Sequence, residues 1–508
     1  MTAGPAGKKP FGLGEDSTGA PLGQDPKNPK RDDKVTRMGT ASIPRLILEF
    51  AIPSILGMIV NGAYSVIDSV FLGQAMGDIG IETMTIANPI MIVFMAISML
   101  VGVGGNALAA LRMGEGKRVD AEYTLGNTFL LCIIVSVLVA ICALSPFILD
   151  ALLTLSSATE AVRFHAEQFL RIICLGFFFQ CVGMGINNFI RTAGAPNRAL
   201  ATMLVGAVFC TIFNYVFVIQ LGWGVEGSAL ATICGQAISC GAVLWYFIFT
   251  KGVPIRLRLR FMTPKPRVML TILSFGLASF CVQAGMALVS FVVNHLLVIY
   301  GSMHPLGEDL ALTSIGVIQR IATFAVLPII GVSIAIQPLI GFNYGAGLIE
   351  RVRKTFWYGV VASSLIGVVL WVLIFIFPDP IVRVFGISEG VLLDFTAFAL
   401  KVQLFMLPFV GFQIVGSNYF QATGQPFKSV VLTLTRQILF LLPLLFVLPQ
   451  VFSQIMPQFS ALDALYFATP LSDVLAVCTT LIFVIFEMKR LKKLERKEIE
   501  KKQLPDTA

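Results

Sequence analysis

The chain has 508 residues, of which 56% are hydrophobic and only 13% are charged, and its mean hydropathy is +0.83. Soluble domains carry roughly 25% charged residues, so this composition excludes a large soluble protein and indicates one that crosses a membrane many times. The net charge of +8 lies in the tails and short loops, not among aromatic residues of a soluble domain, so we expect no nucleic-acid partner.

The first 42 residues differ from the rest of the chain because Gly, Pro, Lys and Asp dominate them. Such a composition does not bury enough apolar surface to fold, so it predicts a disordered tail over residues 1–42. The tail lacks an apolar stretch before a small-residue cleavage site, so a signal peptide is not predicted.

Twelve apolar segments follow the tail, and each is long enough to cross a bilayer as a helix, which takes about 20 residues. Gly, Pro and charged residues separate the segments, as is typical of helix ends. We therefore predict an all-α polytopic membrane protein with twelve transmembrane helices. The predicted spans cover about 45–72, 84–111, 124–146, 165–188, 200–221, 227–249, 268–299, 313–341, 356–377, 396–419, 430–452 and 464–487.

One carboxylate, Asp68, interrupts span one within the sequence YSVIDSVFLG. An unpaired charge in hydrocarbon costs at least about 2.5–3.5 kcal/mol, so a carboxylate there needs an explanation. Asp68 lies more than 20 residues beyond the start of the span, which places it in the outer half of the helix. Two interpretations stay open. Asp68 is a buried site for an ion or a proton, or it is an acid at the helix end that water reaches from outside.

Lysine and arginine predict the orientation of the chain. Most of the 37 basic residues lie in the tails and in the even-numbered loops, whereas the odd-numbered loops hold only Arg163 and Arg383. The positive-inside rule then makes both termini cytoplasmic. A basic cytoplasmic linker at 251–267 separates spans six and seven, and it either contacts anionic lipid or simply joins two halves. The charged segment at 488–508 is the predicted cytoplasmic C-terminal tail.

The two halves on either side of this linker repeat one pattern. Gly114 after span two aligns with Gly345 after span eight at an offset of 231, and Pro196 aligns with Pro426 at an offset of 230. Each half has six spans, so both halves run in the same direction. We predict two six-helix bundles, 43–250 and 268–487, related as parallel repeats around a central cavity that carries the substrate.

The same segments carry a family resemblance that covers about residues 43–487. The chain resembles multidrug and toxic-compound extrusion (MATE) transporters, particularly the MepA-like branch. The matching runs are AIPSILGMIVNGAYSVIDSVFLGQAMG, FIRTAGAPNRALATMLVGAVF, WGVEGSALATICGQ, GVIQRIATFAVLPIIGVSIAIQPLIGFNYGAG, YFQATGQPFKSVV and RQILFLLPLLFVLP. The resemblance implies antiport of diverse small-molecule drugs, often organic cations, against H⁺ or Na⁺ by alternating access. It also implies residence in the lipid bilayer of the prokaryotic inner membrane, and with it we expect a monomer that needs no cofactor.

The resemblance assigns a coupling role to Asp68 and a helix-bending role to Pro53, fifteen residues earlier. A proline inside a helix frees a carbonyl group and weakens one turn, although a static kink is the alternative. The chain departs from the family in span five, where Cys210 and Asn214 stand in place of the Asn and Asp of many relatives. Asn214 forms hydrogen bonds but does not titrate, so a site with one carboxylate favours H⁺ over Na⁺ as the coupling ion.

Asp473 is the second acid within a span, and the repeat places it opposite Gln236. Arg320, Lys401 and Arg436 lie in the same half, so Asp473 is either a structural ion-pair partner or a contributor to coupling. Gln283 occupies the place in span seven where some relatives outside the MepA-like branch have an acid.

Several other residues are candidates for the substrate cavity. Methionine repacks around varied ligands, which suits a multidrug site, although ordinary helix packing explains the same residues. The candidates are Met58, Asn188, Gln283, Met286 and Arg320.

Three other functions compete with export. A flippase for lipid-linked sugar precursors needs several cavity-facing cations, for which Arg320, Lys401 and Arg436 are candidates. A membrane enzyme needs a convergent catalytic or metal-binding set, and neither zinc spacing nor a phosphate-binding GxxxxGK[ST] motif occurs. A receptor or channel fits poorly with twelve spans in two repeats.

Overall fold

The computed structural model describes residues 36–145, 150, 160–301, 308–385, 387, 390–455 and 460–503. Within these ranges every regular element is a helix. In this described part of the chain, eleven helices are long and apolar enough to cross a membrane, and a pair of helices with a bend between them forms a twelfth span. The predicted all-α fold with twelve spans is confirmed, and the chain is a multi-pass membrane protein.

The helices follow the order of the predicted spans and form two lobes. The spans of the N-lobe are Ile43–Met76, Asp78–Gly114, Arg118–Leu144, Glu160–Thr192, Pro196–Asn214 with the π-helical continuation Tyr215–Gln220, and Gly224–Phe249. The spans of the C-lobe are Pro266–Gly301, Glu308–Gly345, Ile349–Ile376, Val391–Gln403 with Leu407–Ala422, Pro426–Leu434 with Thr435–Leu441 and Leu442–Ile455, and Ala461–Gln503. A short helix, Pro378–Val384, precedes span ten.

Span ten differs from its prediction as one helix over 396–419. It consists of Val391–Gln403 and Leu407–Ala422, which meet at an angle of 43°. Pro408 stands at the start of the second helix, where its missing N–H is tolerated, whereas it would break an uninterrupted helix. Spans five and eleven both carry a π-helical segment, but at different heights: Tyr215–Gln220 lies further from Pro196 than Thr435–Leu441 lies from the aligned Pro426. The sequence pattern did not predict these segments, which are frequent at functional sites.

Both predicted tails reach into the fold. Residues 36–40 are helical, and Met38 is 1% exposed in a cluster with spans one, eight and nine, whereas residues 1–35 lie outside the described part. At the other end, span twelve continues to Gln503, and Glu495 accepts a hydrogen bond from Arg353 at 3.0 Å. The order of these segments follows from packing and pairing with residues that are distant in sequence.

Spans one and seven each pack against both lobes. The start of span one, including Ile43 and Phe50, is buried against the C-lobe, whereas its second half carries Asp68 into the N-lobe. Span seven does the reverse, because Phe275 is buried in the N-lobe core and Leu297 in the C-lobe core. The two lobes are therefore joined by spans one and seven, each of which packs against one lobe at its start and against the other lobe further along.

The repeat seen in the sequence reappears as a contact between the lobes. A Cβ atom at Gly114 would overlap the carbonyl oxygen of Phe342, and one at Gly345 would overlap the carbonyl oxygen of Leu111. Both glycines align at the offset of 231, as do Leu111 and Phe342. Spans two and eight consequently touch backbone to backbone at the end of the protein that carries the basic loops.

Amide side chains extend this contact between the lobes. Asn106 in span two donates to Gln337 in span eight at 3.4 Å, and these two residues also align at the offset of 231. Gln337 in turn donates to Gln421 at 3.2 Å, and Thr192 donates to Asn106 at 2.5 Å. Hydrogen bonds of buried amides therefore tie the N-lobe to the C-lobe here.

Candidate ion and substrate site

Asp68 lies in the N-lobe interior and is 7% exposed. Its carboxylate accepts a hydrogen bond from Asn214 Nδ2 at 2.8 Å on one oxygen and from Thr232 Oγ1 at 3.1 Å on the other. Cys210 Sγ lies 3.9 Å from the first oxygen. The carboxylate is thus held by neutral donors from spans five and six.

The approach of spans five and six creates this pair of donors. Gly235 in span six stands against Cys210, because a Cβ atom at Gly235 would lie only 2.6 Å from Cys210 Cβ. Asn214 is fully buried at the last position before the π-helical segment, and Thr232 is 3% exposed on the facing helix. Close helix packing through a small residue therefore places both side chains at the carboxylate.

Two buried oxygens beside this cluster have no hydrogen-bond partner. They are Asn214 Oδ1 and the hydroxyl of Ser228, which lies one helical turn before Thr232. A buried acceptor without a donor costs about 1–3 kcal/mol. A proton or a small cation that bound to these oxygens would remove this cost. The described residues contain no group of three His, Cys, Asp or Glu side chains that could hold a metal ion.

Asp68 lines a cavity of about 280 Å³ that lies mainly within the N-lobe. Its wall is formed by spans one, two, four, five and six, and Ile334 of span eight adds one contact from the C-lobe. Methionines are unusually frequent in the wall: Met58, Met84, Met91, Met95, Met99, Met184 and Met203. Flexible thioether side chains adapt to ligands of different shape, so this wall suits varied amphiphiles.

The polar part of the wall includes one arginine. Arg191 is 3% exposed, and its Nη1 donates to Asn188 Oδ1 at 2.6 Å. Arg191 lies beyond the predicted span 165–188, yet it belongs to the span-four helix Glu160–Thr192 and lines the cavity.

The other predicted cavity residues divide into two groups. Asn188 and Met58 line the cavity. Arg320 is exposed, Met286 is 47% exposed and Gln283 is half-buried in span seven, and these three do not belong to the described wall. Their assignment to substrate binding stays a prediction.

Pro53 is buried inside span one, which continues as one helix from Ile43 to Met76. Met58, Asn61 and Asp68 follow in the same helix and line the cavity, so a bend at Pro53 would change their orientation relative to the start of the span. Its role as a bending point stays a prediction.

Asp473 has a different environment from Asp68. It is 5% exposed and accepts a hydrogen bond from Arg436 Nε at 2.8 Å. Arg436 lies in the π-helical segment of span eleven, and its carbonyl oxygen accepts a hydrogen bond from Ser472 at 2.9 Å. Of the three cations that the sequence placed in this half, Arg436 is the one at the carboxylate, whereas Arg320 is exposed and Lys401 half-buried.

Sequence reasoning missed Thr232, Arg191 and Glu487. Thr232 is 164 positions from Asp68, and a single threonine in an apolar run carries no signal. Arg191 follows Asn188 at a spacing that puts both on one helix face, and this pattern was available. Glu487 is 1% exposed and pairs with Lys428 at 3.2 Å, but in the sequence it resembled the start of a charged tail.

Comparison with known proteins gives consistent results over most of the chain. The MatE family profile matches residues 53–216 and 275–447. The multidrug export protein MepA of Staphylococcus haemolyticus (strain JCSC1435) is 24% identical over 422 residues, which cover 83% of this chain and 90% of that protein.

Solved structures resemble the fold closely. One is described as a structure of the MATE multidrug transporter DinF-BH. The two sequences are 30% identical, and the alignment covers 88% of this chain and 96% of that chain, with a TM-score of 0.79. Another is described as the outward-facing conformation of a multidrug resistance MATE family transporter of the MOP superfamily. It is 21% identical, covers 90% and 98% of the two chains, and has a TM-score of 0.81.

Proposed function

This chain belongs to the MatE family, and from that premise we propose that it is a secondary active exporter that exchanges cationic and amphiphilic drugs for protons. The names of its relatives, a multidrug export protein and a multidrug transporter, support the substrate class. The export proceeds by alternating access in the prokaryotic plasma membrane, with both termini in the cytoplasm. The basic loops at one end of the lobes support that orientation.

The observation that carries the proposal is the position of Asp68 on the wall of the methionine-rich cavity. When ionised, its carboxylate accepts from Asn214 and Thr232 and attracts a cationic drug into the cavity. When a proton binds from outside, the negative charge disappears and the drug loses that attraction. We assign Asn214 Oδ1 as the acceptor of the new O–H group, because it lacks a partner and belongs to the side chain that already donates to this carboxylate.

The proton and the drug therefore compete for one group, which is the condition for antiport. Release of the proton on the cytoplasmic side restores the carboxylate for the next drug molecule. Pro53 serves as the point at which span one bends between the two states, since a proline weakens the helix one turn earlier.

Sodium is the second candidate for the coupling ion. The oxygens of Asp68, Asn214 Oδ1 and Ser228 Oγ are the type of ligand that a hard cation prefers, and two of these oxygens have no partner. A single carboxylate with a neutral asparagine beside it nevertheless favours the proton, because a proton needs one carboxylate oxygen whereas a hard metal cation needs several oxygen ligands at once.

A flippase for lipid-linked sugars receives less support. Such a protein needs several cations facing the cavity, whereas Arg436 is paired with Asp473 and Arg320 is exposed. Within the described cavity wall, Arg191 is the basic residue.

The proposal is tested with purified protein in liposomes that contain a fluorescent organic cation such as ethidium. Imposing a pH gradient alone, and in parallel a Na⁺ gradient alone, shows which ion drives transport. We expect transport with the pH gradient and loss of that transport in Asp68→Asn. Glu167→Gln is the matched control, because it removes an exposed carboxylate from span four. Transport that follows only the Na⁺ gradient would replace the proton by sodium, and a wild-type protein that moves no cation under either gradient would contradict the proposal.

A further inference from the structure

Arg191 is a buried cation whose hydrogen bonding is incomplete. Nη1 donates to Asn188 Oδ1 at 2.6 Å, and Nη2 lies 3.7 Å from Met203 Sδ. Nε has no partner although it is buried. Within the described part of the chain, no carboxylate lies within 4.0 Å of the guanidinium. A guanidinium has five N–H donors, so most of its capacity is unused.

The position of Arg191 at the end of span four does not explain this arrangement. A cation near a helix C-terminus is stabilised by the helix dipole, but an exposed side chain obtains that stabilisation without the cost of burial. The repeat offers a comparison, because the equivalent position in the C-lobe at the offset of 230 is Gln421, a neutral residue. Gln421 completes its hydrogen bonds with Gln337 and with the carbonyl oxygen of Phe275. The fold therefore does not require a cation at this place.

Arg191 and Asp68 lie at two levels of the same cavity. Arg191 Nη2 is adjacent to Gly57 of span one, because a Cβ atom at Gly57 would lie 3.6 Å from it. Asp68 is eleven residues further along that helix, which corresponds to about 16 Å. The wall between them carries Met58 and Asn61. The cavity thus has a positive group at one level and a negative group at the other, with apolar and amide surface between them.

We propose that Arg191 binds the carboxylate of amphiphilic substrates, so that the cavity accepts zwitterions as well as simple cations. A planar guanidinium with unused N–H donors matches a carboxylate in geometry and charge. Asn188 holds the guanidinium in place from the same helix face, and the side chain beside Nη2 is Met203, a flexible thioether that adapts to a ligand atom. This inference rests on the proposed export function and specifies part of its substrate class.

The test uses two dyes that differ in one group. Rhodamine 6G is a cation whose carboxyl group is esterified, and its free-acid form carries the same cationic ring with an ionised carboxylate. Binding of each dye to the purified protein in detergent is measured by fluorescence anisotropy, and transport is measured in liposomes. The variants are Arg191→Gln, which copies the C-lobe residue, and Arg191→Lys, which keeps the charge without the planar group.

For Arg191→Gln we expect the affinity for the free-acid dye, relative to the affinity for rhodamine 6G, to fall by about 10- to 100-fold, the range for a charge-assisted hydrogen bond. Arg191→Lys restores part of the lost affinity. Arg171→Gln is the matched control, because it removes an arginine from the same span that is exposed and paired with Glu167. Asn188→Ala should lower the same relative affinity by a smaller factor, and it replaces Arg191→Gln if that variant does not fold.

Equal weakening of both dyes in Arg191→Gln, or no change in either, would overturn the inference. Those results differ from a failure of the proposed function, in which the wild-type protein binds and transports neither dye. A wild-type protein that handles rhodamine 6G but rejects the free acid would contradict the role of Arg191 and leave cation export intact.

Discussion

The described part of each lobe holds one buried aspartate and one arginine that faces the protein interior, but the two lobes arrange these charges in opposite ways. In the C-lobe, Arg436 and Asp473 contact each other at 2.8 Å. In the N-lobe, Asp68 is held by neutral donors and Arg191 by an asparagine, and the two groups face one cavity from levels about 16 Å apart.

This difference indicates which charges are available to ligands. A buried ion pair satisfies itself, so neither partner gains from binding an external ion. A buried charge with only neutral neighbours interacts strongly with any opposite charge that reaches it, because the surroundings screen little. Glu487, the other deeply buried acid of the C-lobe, follows the C-lobe pattern, since Lys428 and Arg490 both contact it. We therefore expect the charges that change partners during transport to lie in the N-lobe.

The largest effect is expected from breaking the C-lobe pair. Arg436→Ala leaves Asp473 buried without its cation, which lowers the free energy of unfolding by about 3–5 kcal/mol. Thermal unfolding of the purified protein in detergent measures this loss. The double variant Arg436→Leu with Asp473→Asn should recover most of the stability, because it removes both charges. A stable single variant would show that the pair is not structural and would contradict the difference inferred between the two lobes.

The second effect concerns coupling and contrasts the two aspartates. Asp68→Asn removes the carboxylate that binds the proton and should lower proton-driven export by about 100-fold or more. A 100-fold loss corresponds to about 2.7 kcal/mol of free energy. Asp473→Asn should leave the export rate per folded molecule within about threefold. Liposome transport under a fixed pH gradient, normalised to folded protein, measures both. Loss of coupling in Asp473→Asn alone would transfer the coupling role to the C-lobe.

A smaller effect is expected from Thr232, which supplies one of the two neutral donors to Asp68. Thr232→Val keeps the shape and removes the hydrogen bond at 3.1 Å, which is worth about 1 kcal/mol, so export should fall about fivefold. Thr211→Val in span five is the control, because Thr211 donates to the carbonyl oxygen of Ala207 on its own helix. Equal losses in both variants would mean that the threonine acts through packing.

The smallest effect separates two methionines that the sequence treated alike. Met58 lines the N-lobe cavity, whereas Met286 of the C-lobe is 47% exposed. Met58→Ala should raise KM for a cationic dye by about three- to tenfold, in line with the loss of roughly 1 kcal/mol of apolar contact. Met286→Ala should leave KM unchanged within error. The opposite order would place the drug nearer to the C-lobe than the cavity indicates.

The sequence predicted the site in part. Asp68 was recognisable because a single acid in a long apolar run has few explanations, and Asn214 followed from the resemblance in span five. Thr232 and Ser228 gave no signal, since small hydroxyl residues are common in membrane helices and bind their own backbone. The break in span ten was missed because Pro408 lies inside a segment that is apolar on both sides.

The twelve spans, the two repeats and the family can be recognised in the amino-acid sequence, because hydrophobic length and helix-ending residues are local properties. Which buried charges contact each other is a property of the folded molecule. Asp473 and Arg436 are 37 positions apart and form a pair, whereas Asp68 and Arg191 lie on different spans and face a common cavity. The reason is geometric: helix rotation and close packing at small residues such as Gly57 and Gly235 set these distances, and neither is encoded in hydropathy.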